Sequence, residues 1–481
     1  MRFRAVRFEA VWMVVALAAP AGAQPAAPAS GGLVAAAVLR LQQAPPAREH
    51  DSPEQGDQQA EPDGKRQGAP ENETKGDGGF RFVWDDRPSL RAGKWLRVDL
   101  RLKVQADVRS SEQDLSEYGG TFELTRLRAG VKGEVTRYVE FEVEHDLTSG
   151  GQWRDVYANF RPLREAQLKA GKYKIPFSLE QTTGPMELDF VSRSLAARVL
   201  APGRDVGIMA HGSVLKGILR YEIGYFQGDG DSPPPLKPMP FPLPEDPAPE
   251  YGPSLAGRLR VEPFRALSKK SLVENLAVGF AATSTDIPVG PNHLQGESVF
   301  GYEFFPRQYF TNGARRRLGA EFSWSPGPLS AKFEYIRSSE ARVGQGVGNE
   351  GGLDNDLPEI VGRGWYITGT WVVTGEKKDG GVVPRQPVFG GGFGAVEVAG
   401  RYEGLRFSSA TAIGPPSSNP RAPTVEANED AVLTVGANWY PNKWVKVQVN
   451  MIRETFADAA RSPIPGQSTI VSYAVRFQFV M

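Results

Sequence analysis

The 481-residue sequence contains no cysteine, four histidines and equal numbers of basic and acidic residues, 56 of each. The absence of cysteine excludes disulfides, cysteine-ligated zinc and thiol chemistry. The zero net charge argues against a nucleic-acid-binding protein, which is basic overall. A mean hydropathy of −0.36 argues against a bundle of transmembrane helices. It does not exclude a transmembrane β-barrel, because alternating polar and apolar residues average out.

The first 23 residues are predicted to be a secretory signal peptide. Arg2, Arg4 and Arg7 give a charged start, residues 11–20 form a short apolar core, and residues 21–23 provide an A-x-A cleavage site. An apolar segment this short cannot span about 30 Å of hydrocarbon as a helix, which argues against a retained anchor. An export signal in a chain without cysteine is typical of a bacterial envelope protein.

Residues 24–80 are poor in aromatic residues and rich in alanine, proline, glutamine, glycine and acidic residues. Such a segment buries too little apolar surface to offset the entropy of ordering, so it is predicted to be a disordered arm. The first 80 residues carry 8 basic and 10 acidic residues, which leaves 48 basic and 46 acidic residues for 81–481. The bulk charge of residues 81–481, predicted to be a single barrel domain, therefore indicates nothing about a charged ligand.

From residue 95 onward the sequence alternates with a period of two. In 95–109, the even positions from Leu96 to Val108 are apolar, and the odd positions from Arg97 to Arg109 are polar or charged. A strand separates alternate residues onto opposite faces, whereas a helix would mix them. Similar segments predict sixteen strands, at 95–109, 125–135, 138–146, 153–161, 166–174, 206–214, 217–226, 254–262, 275–284, 316–325, 329–338, 364–375, 394–405, 432–440, 443–452 and 473–481.

These strands favour an all-β transmembrane antiparallel barrel over a soluble antiparallel protein. They are about 9–14 residues long, whereas soluble strands average about 5–6 and membrane strands need about 9–11. Sixteen strands also make a barrel wide enough for an aqueous channel. Aromatic residues cluster near the predicted strand ends, as at a membrane interface: Trp95, Tyr138, Trp153, Trp365, Trp371, Trp439, Tyr440 and Trp444. Long extracellular loops are predicted at 227–253, 285–315, 340–362, 376–393 and 406–430.

Two runs resemble the phosphate-selective porin O and P family: GKYKIPFSLE at 171–180 and SRSLAARVLAPGRDVG at 192–207. Residues 374–376, 396–402 and 433–442 fit the same family. The resemblance covers about residues 90–481. It implies a sixteen-stranded barrel in the bacterial outer membrane, assembled as a homotrimer, with a loop folded into each pore and basic residues that attract phosphate. The chain departs from the family in ending on Phe479-Val480-Met481 rather than on an aromatic residue.

The segment 175–205 is predicted to be the constriction loop. It is too long for a tight turn, and its apolar residues indicate that it folds inward and packs on the barrel wall. It carries Arg193, Arg198 and Arg204, and the planar guanidinium of arginine binds two oxygens of an oxyanion at once. These three arginines are therefore predicted anion contacts. The alternative is that they pair only with the carboxylates of the loop itself.

Further anion contacts are predicted on the lumen face of the first strands. They are Arg97, Arg101, Lys103, Arg126, Arg128 and Lys174. The neighbouring strand 138–146 is acidic, so the opposed charges can create a transverse field across the pore, form salt bridges that stiffen the wall, or do both. Lys174 shares its parity with Leu168 and Ala170, so either a bulge at Gly171 turns it inward or it lies at the membrane interface.

The predicted function is passive diffusion of small anions, with phosphate or polyphosphate as the expected solute. A porin for other small solutes such as sugars is an alternative, although the clearest polar faces carry charges rather than rows of aromatic residues. An outer-membrane enzyme is less favoured, because His50, His145, His211 and His293 accompany no hydrolase motif. No catalytic residue, metal, cofactor or nucleic-acid partner is expected. The expected partners are small anions, outer-membrane lipid and further copies of the chain.

Overall fold

The computed structural model describes residues 79–84, 87–111, 122–148, 151–230, 251–266, 272–273, 275–348, 351–378 and 380–481. The predicted signal peptide lies outside the described residues. The predicted arm also lies outside them except for its last two residues, and the second of these, Phe80, begins the first strand.

Twenty strands make up almost all the regular structure of the described residues. They are β1 (Phe80–Trp84), β2 (Pro88–Ala92), β3 (Leu96–Ser111), β4 (Phe122–Val135), β5 (Val139–Asp146), β6 (Gln152–Phe160), β7 (Gln167–Lys174), β8 (Arg204–Val214), β9 (Leu219–Phe226), β10 (Ser254–Val261), β11 (Ala277–Pro291), β12 (Gly296–Glu297), β13 (Glu303–Phe305), β14 (Phe310–Trp324), β15 (Leu329–Val347), β16 (Leu353–Val372), β17 (Ala395–Ser409), β18 (Asn428–Tyr440), β19 (Val445–Phe456) and β20 (Thr469–Val480).

Sixteen of these strands, β3–β11 and β14–β20, form one closed antiparallel barrel. Each strand pairs with the next in chain order, and β20 pairs with β3 from Ser472↔Ser111 to Val480↔Lys103. Every predicted strand overlaps one barrel strand, so both the predicted all-β fold and the predicted strand number are confirmed. The hairpin β1–β2 was not predicted. It continues the wall beyond the end of β20, because β2 pairs with the first residues of β3.

The helical segments are short. They are α1 (Leu179–Thr182), 3-10 turns at Pro185–Glu187, Leu215–Gly217, Val388–Gly390 and Ala459–Arg461, and a π-helical turn at Ala196–Leu200. Three of them lie in the connection between β7 and β8. Within the described residues, no helix has the length and apolar character needed to cross a membrane.

The barrel carries apolar side chains outside and charged side chains inside. Phe280, Ile367 and Phe477 are more than half exposed on the outer face, whereas Arg128 and Arg401 are at most 2% exposed on the lumen face. Strand alternation produces this distribution directly, since every second residue points outward. An apolar outer face around a polar interior is the pattern of a transmembrane barrel.

The connections divide between two ends of the barrel. One end, here called the turn end, carries the connections 136–138, 161–166, 215–218, 262–276, 325–328, 373–394 and 441–444. The other, the loop end, carries the end of β3, the start of β4 and the connections 147–151, 175–203, 227–253, 292–309, 348–352, 410–427 and 457–468. The prediction that 376–393 belongs with the extracellular loops is therefore wrong. The length of this segment suggested the extracellular side. The direction of β16 instead places the segment at the turn end, since β16 ends at Val372 beside the 325–328 turn.

Candidate functional site

The connection 175–203 between β7 and β8, here called the constriction loop, crosses the lumen and packs on the far wall. Its π-helical turn lies against β16, where Gly362 and Gly364 leave room for it. A Cβ on Gly362 would lie 2.7 Å from Leu200 Cδ2, and one on Gly364 would lie 2.8 Å from Ala196 Cβ. The predicted inward-folded loop is confirmed, and its contact with the wall depends on the absence of side chains at these two positions.

Polar side chains of the wall satisfy backbone N–H groups of the constriction loop. Glu334 on β15 accepts hydrogen bonds from the amides of Leu179 and Glu180, at 3.0 and 3.4 Å. Glu403 on β17 accepts from Leu195 N at 2.5 Å. Backbone donors buried without an acceptor are costly, so these wall carboxylates help to determine where the loop lies.

Arg193 and Arg198 donate to backbone carbonyls. Arg193 donates to the carbonyls of Glu180 and Thr183 at 3.1 and 2.8 Å. Arg198 donates to the carbonyls of Glu297 and Val299, both at 3.1 Å, and to that of Ser298. Both arginines are at least nine-tenths buried, so their visible role is to brace the loop. Their contact with an anion stays a prediction.

Arg204 and Lys174 lie opposite one another where the constriction loop leaves the wall. Arg204 binds Asp155 on β6 through two nitrogens, at 2.8 and 3.2 Å. The pairing of β7 with β6 and β8 continues without a register shift at Gly171, so the predicted bulge is absent. Lys174 is buried because the loop folds back over it, and its ammonium donates to Gln181 O at 2.6 Å.

The predicted cations of β3 and β4 are paired with neighbouring groups. Arg101 binds Glu142 at 3.0 Å, Lys103 binds Glu144 at 2.6 Å and Arg128 binds Asp146 at 3.0 Å. Arg97 pairs with Asp99 near the turn end, and Arg126 donates to Gln105. Basic β3 and β4 therefore form salt bridges with acidic β5, which is one of the alternatives that the sequence left open. Their contact with an anion stays a prediction.

A cavity of about 230 Å³ lies between the constriction loop and the opposite wall, which β5–β10 form. On its loop side it is bounded by residues of the 179–187 stretch. The charged residues that line it are Glu140, Arg164, Lys169, Glu187, Arg220, Glu222, Arg258, Arg260 and Glu262. None of the nine residues predicted from the sequence lies among its lining residues. The wall of this cavity is thus made largely by strands whose lumen faces were not assigned from the sequence.

The sequence contained a partial signal for these residues. Their strands 166–174, 217–226 and 254–262 were predicted, and alternation then places Lys169, Arg220 and Arg260 at definite parities. The signal is weak because the alternation in these strands is irregular. In 166–174, for example, lysines occur at both parities, and only the register with β6 and β8 shows which of them faces the lumen.

The cations of the cavity differ in how far they are neutralised. Arg258 forms three hydrogen bonds with Glu321, at 2.8, 3.0 and 3.2 Å, and Arg220 lies 3.4 Å from Glu262. Lys169 forms no ion pair with any described carboxylate. Its ammonium instead lies 4.4 Å from the ring centre of Tyr157 and 5.4 Å from that of Tyr173. Cation–π contacts hold the ammonium in place without a directly bonded carboxylate.

The described residues contain no cluster of metal-ligating side chains. A closed sixteen-stranded barrel with an apolar outer face, a charged lumen and a loop folded into it defines an outer-membrane porin. The family model described as phosphate-selective porin O and P matches residues 98–235 and 305–480. The chain therefore belongs to the phosphate-selective porin O and P family, as the resemblance suggested, and is a protein of the bacterial outer membrane.

Solved structures of other outer-membrane proteins are similar to this one at low sequence identity. OmpT of Vibrio cholerae is 10% identical, with 81% of this chain and 99% of that chain covered and a TM-score of 0.49. OmpF of Salmonella typhi is 12% identical, with 80% and 98% covered and a TM-score of 0.44. OccK2 of Pseudomonas aeruginosa is 11% identical, with 80% and 97% covered and a TM-score of 0.37. No curated protein sequence matches the chain.

Proposed function

We propose that this porin carries small anions by passive diffusion and prefers phosphate or polyphosphate. The observation that carries the proposal is the ammonium of Lys169, which lines the cavity beside the constriction loop and forms no ion pair with a described carboxylate. A pore selects ions by the side-chain charges at its constriction, so one unpaired cation there outweighs many neutralised ones elsewhere. The printed description of the family, phosphate-selective porin O and P, supports phosphate as the preferred anion.

The surroundings of Lys169 favour an oxyanion with several acceptor oxygens. Arg164, Arg220 and Arg260 line the same cavity, so an anion held by Lys169 has further donors within the same space. Lysine binds phosphate as a compact point charge, whereas arginine adds planar donors. Glu187 and Glu222 also line the cavity and weaken the attraction. Weak binding suits a channel, because the solute must leave as readily as it enters.

The nine basic residues predicted from the sequence also have a role in the proposed pore. Six are braced by carboxylates, amides or carbonyls of the wall, and Lys174, Arg193 and Arg198 are braced by loop or neighbouring carbonyls. We propose that they hold the constriction in shape and contribute to the potential inside it. On the resemblance to the family we also propose a homotrimer, which native mass spectrometry of the detergent-solubilised protein tests directly.

Single-channel recording in a planar bilayer tests the proposal. Under a KCl gradient we expect a reversal potential that favours anions, and we expect added phosphate to block the chloride current. Lys169→Met should reduce both effects while leaving an open channel. Lys172→Met is the matched control, since Lys172 lies on the same strand and does not line the cavity. A cation-preferring wild-type channel would refute the proposal, and block by sugars instead of phosphate would favour the neutral-solute alternative.

A further inference from the structure

The connection 373–394 at the turn end, which faces the periplasm in an outer-membrane barrel, sends one side chain into the lumen. The Lys378 ammonium donates to Asp189 Oδ1 of the constriction loop at 2.7 Å and to Glu397 Oε1 of β17 at 2.5 Å. Its backbone N–H donates to Gly327 O at 2.8 Å, which ties the connection to the neighbouring turn. One residue thus joins the periplasmic side of the barrel to the constriction loop.

Asp189 is held by more than this one lysine. Lys332 on β15 donates to its other carboxylate oxygen at 2.8 Å, and Asn438 on β18 donates to its carbonyl at 2.9 Å. Asp189 is only 4% exposed. Burial by itself raises the pKa of this carboxyl, but Lys332 and Lys378 outweigh that effect and hold its pKa well below the usual range. Asp189 is therefore ionised, and both of its oxygens are engaged.

Contacts of neighbouring residues tie this part of the loop and Glu397 to β18 and β19. The Leu188 carbonyl accepts from Lys446 at 2.6 Å, and Glu397 accepts from Tyr440 at 2.7 Å. We call Asp189, Lys332, Lys378 and Glu397 the loop latch. Asp189 lies on the constriction loop, Lys332 and Glu397 lie on barrel strands, and only Lys378 belongs to a connection at the turn end.

We propose that Lys378 is a positioning residue, which latches the constriction loop from the periplasmic side and so keeps the pore open. The loop is docked on the wall that β14–β20 form, and the open cavity lies on its other side. A loop released from the latch can therefore move only into the cavity, where it obstructs the pore. Removal of Lys378 also leaves Asp189 and Glu397 buried with one cation fewer, which disfavours the docked position.

The test is single-channel recording of Lys378→Met in the full-length refolded protein. We expect frequent brief closures at low voltage, with a rise on the order of tenfold or more in the ratio of closed to open time, because one charged hydrogen bond contributes at least about one decade to an equilibrium. Lys377→Met is the matched control, since Lys377 is the adjacent, exposed lysine of the same connection. Lys378→Arg should give the long, uninterrupted openings of the wild-type channel, because it keeps the positive charge.

Asp189→Asn tests the same contact from the side of the constriction loop. It should produce similar closures, and the double variant with Lys378→Met should show less than the sum of the two single effects, since both variants remove the Lys378–Asp189 contact. Steady openings in both single variants would overturn the proposal. The inference does not rest on phosphate preference. Lys378→Met should retain the anion-selective reversal potential of its open state, so a failure of either proposal can be told apart from a failure of the other.

Discussion

Replacement of Gly364 by alanine would test whether close packing holds the constriction loop against the wall. Gly364 lies on β16 beneath the π-helical turn and has no positive φ, so its backbone accepts alanine. The added Cβ would lie 2.8 Å from Ala196 Cβ and 3.0 Å from Ala196 Cα. These atoms belong to the loop backbone or lie next to it. The contact therefore cannot be relieved by rotating a flexible side chain, and the loop itself must shift.

The size of the effect follows from the cost of overpacking. One extra methyl group in a tightly packed contact costs about 1–3 kcal/mol. Since about 1.4 kcal/mol corresponds to a factor of ten, the population of displaced loops should rise roughly 5- to 150-fold. The barrel should stay intact, because its strand pairing is not altered. A loop displaced from β16 enters the cavity on its other side, so the pore should narrow.

Two measurements report the displacement. Single-channel conductance of Gly364→Ala should fall, or its openings should become interrupted. Because the chain has no cysteine, a single Ser192→Cys substitution on the loop also allows labelling with a thiol reagent, and labelling should be faster in the Gly364→Ala background. The control is Gly369→Ala on the same strand, where a Cβ meets nothing within 4 Å. Equal conductance and equal labelling rates in the two variants would refute the packing argument.

Three further predictions follow from the charges and the sequence. Arg204→Met removes the ion-pair partner of the buried Asp155 and should lower the free energy of unfolding by about 3–5 kcal/mol. Arg97→Met, at a half-exposed pair, should change it by less than about 1 kcal/mol, and urea unfolding in detergent compares the two variants. Anion preference should weaken between about 0.1 and 1 M KCl, because the Debye length falls from about 10 to 3 Å; an unchanged ratio of permeabilities would contradict a charge-based filter. Protein purified from outer membranes should begin at Gln24, which N-terminal sequencing checks; retention of residues 1–23 would contradict the signal peptide.

The barrel could be predicted because strand alternation is a local property. Apolar residues at every second position of 95–109 determine which face of β3 meets lipid, whatever the neighbouring strands are. The hairpin β1–β2 escaped prediction, since two strands of five residues next to a segment without pattern give too few repeats to recognise. The side of the membrane on which 376–393 lies could not be predicted from its length, because a connection at the turn end can be as long as one at the loop end.

The constriction loop could be located but its contacts could not. Its apolar residues and length showed that 175–205 folds inward. The acceptors of Arg198, however, are carbonyls of residues 297–299, about a hundred positions further along the chain. No pattern in the sequence links two segments so far apart. The same holds for Lys378, whose partner Asp189 lies 189 residues before it.

The sequence by itself thus determined the class of the protein: an exported, cysteine-free chain whose alternating strands place lipid-facing and lumen-facing residues on opposite sides. It also supplied the total charge of residues 81–481. Only the tertiary structure decided which of those charges remain uncompensated, because neutralisation depends on the register between strands and on the path of the loop. Lys103 lies beside Glu144 and is paired, whereas Lys169 lies over two tyrosine rings and is not. Selectivity depends on that difference. The sequence could not predict it, because alternation assigns a residue to a face but does not determine its partner across the lumen.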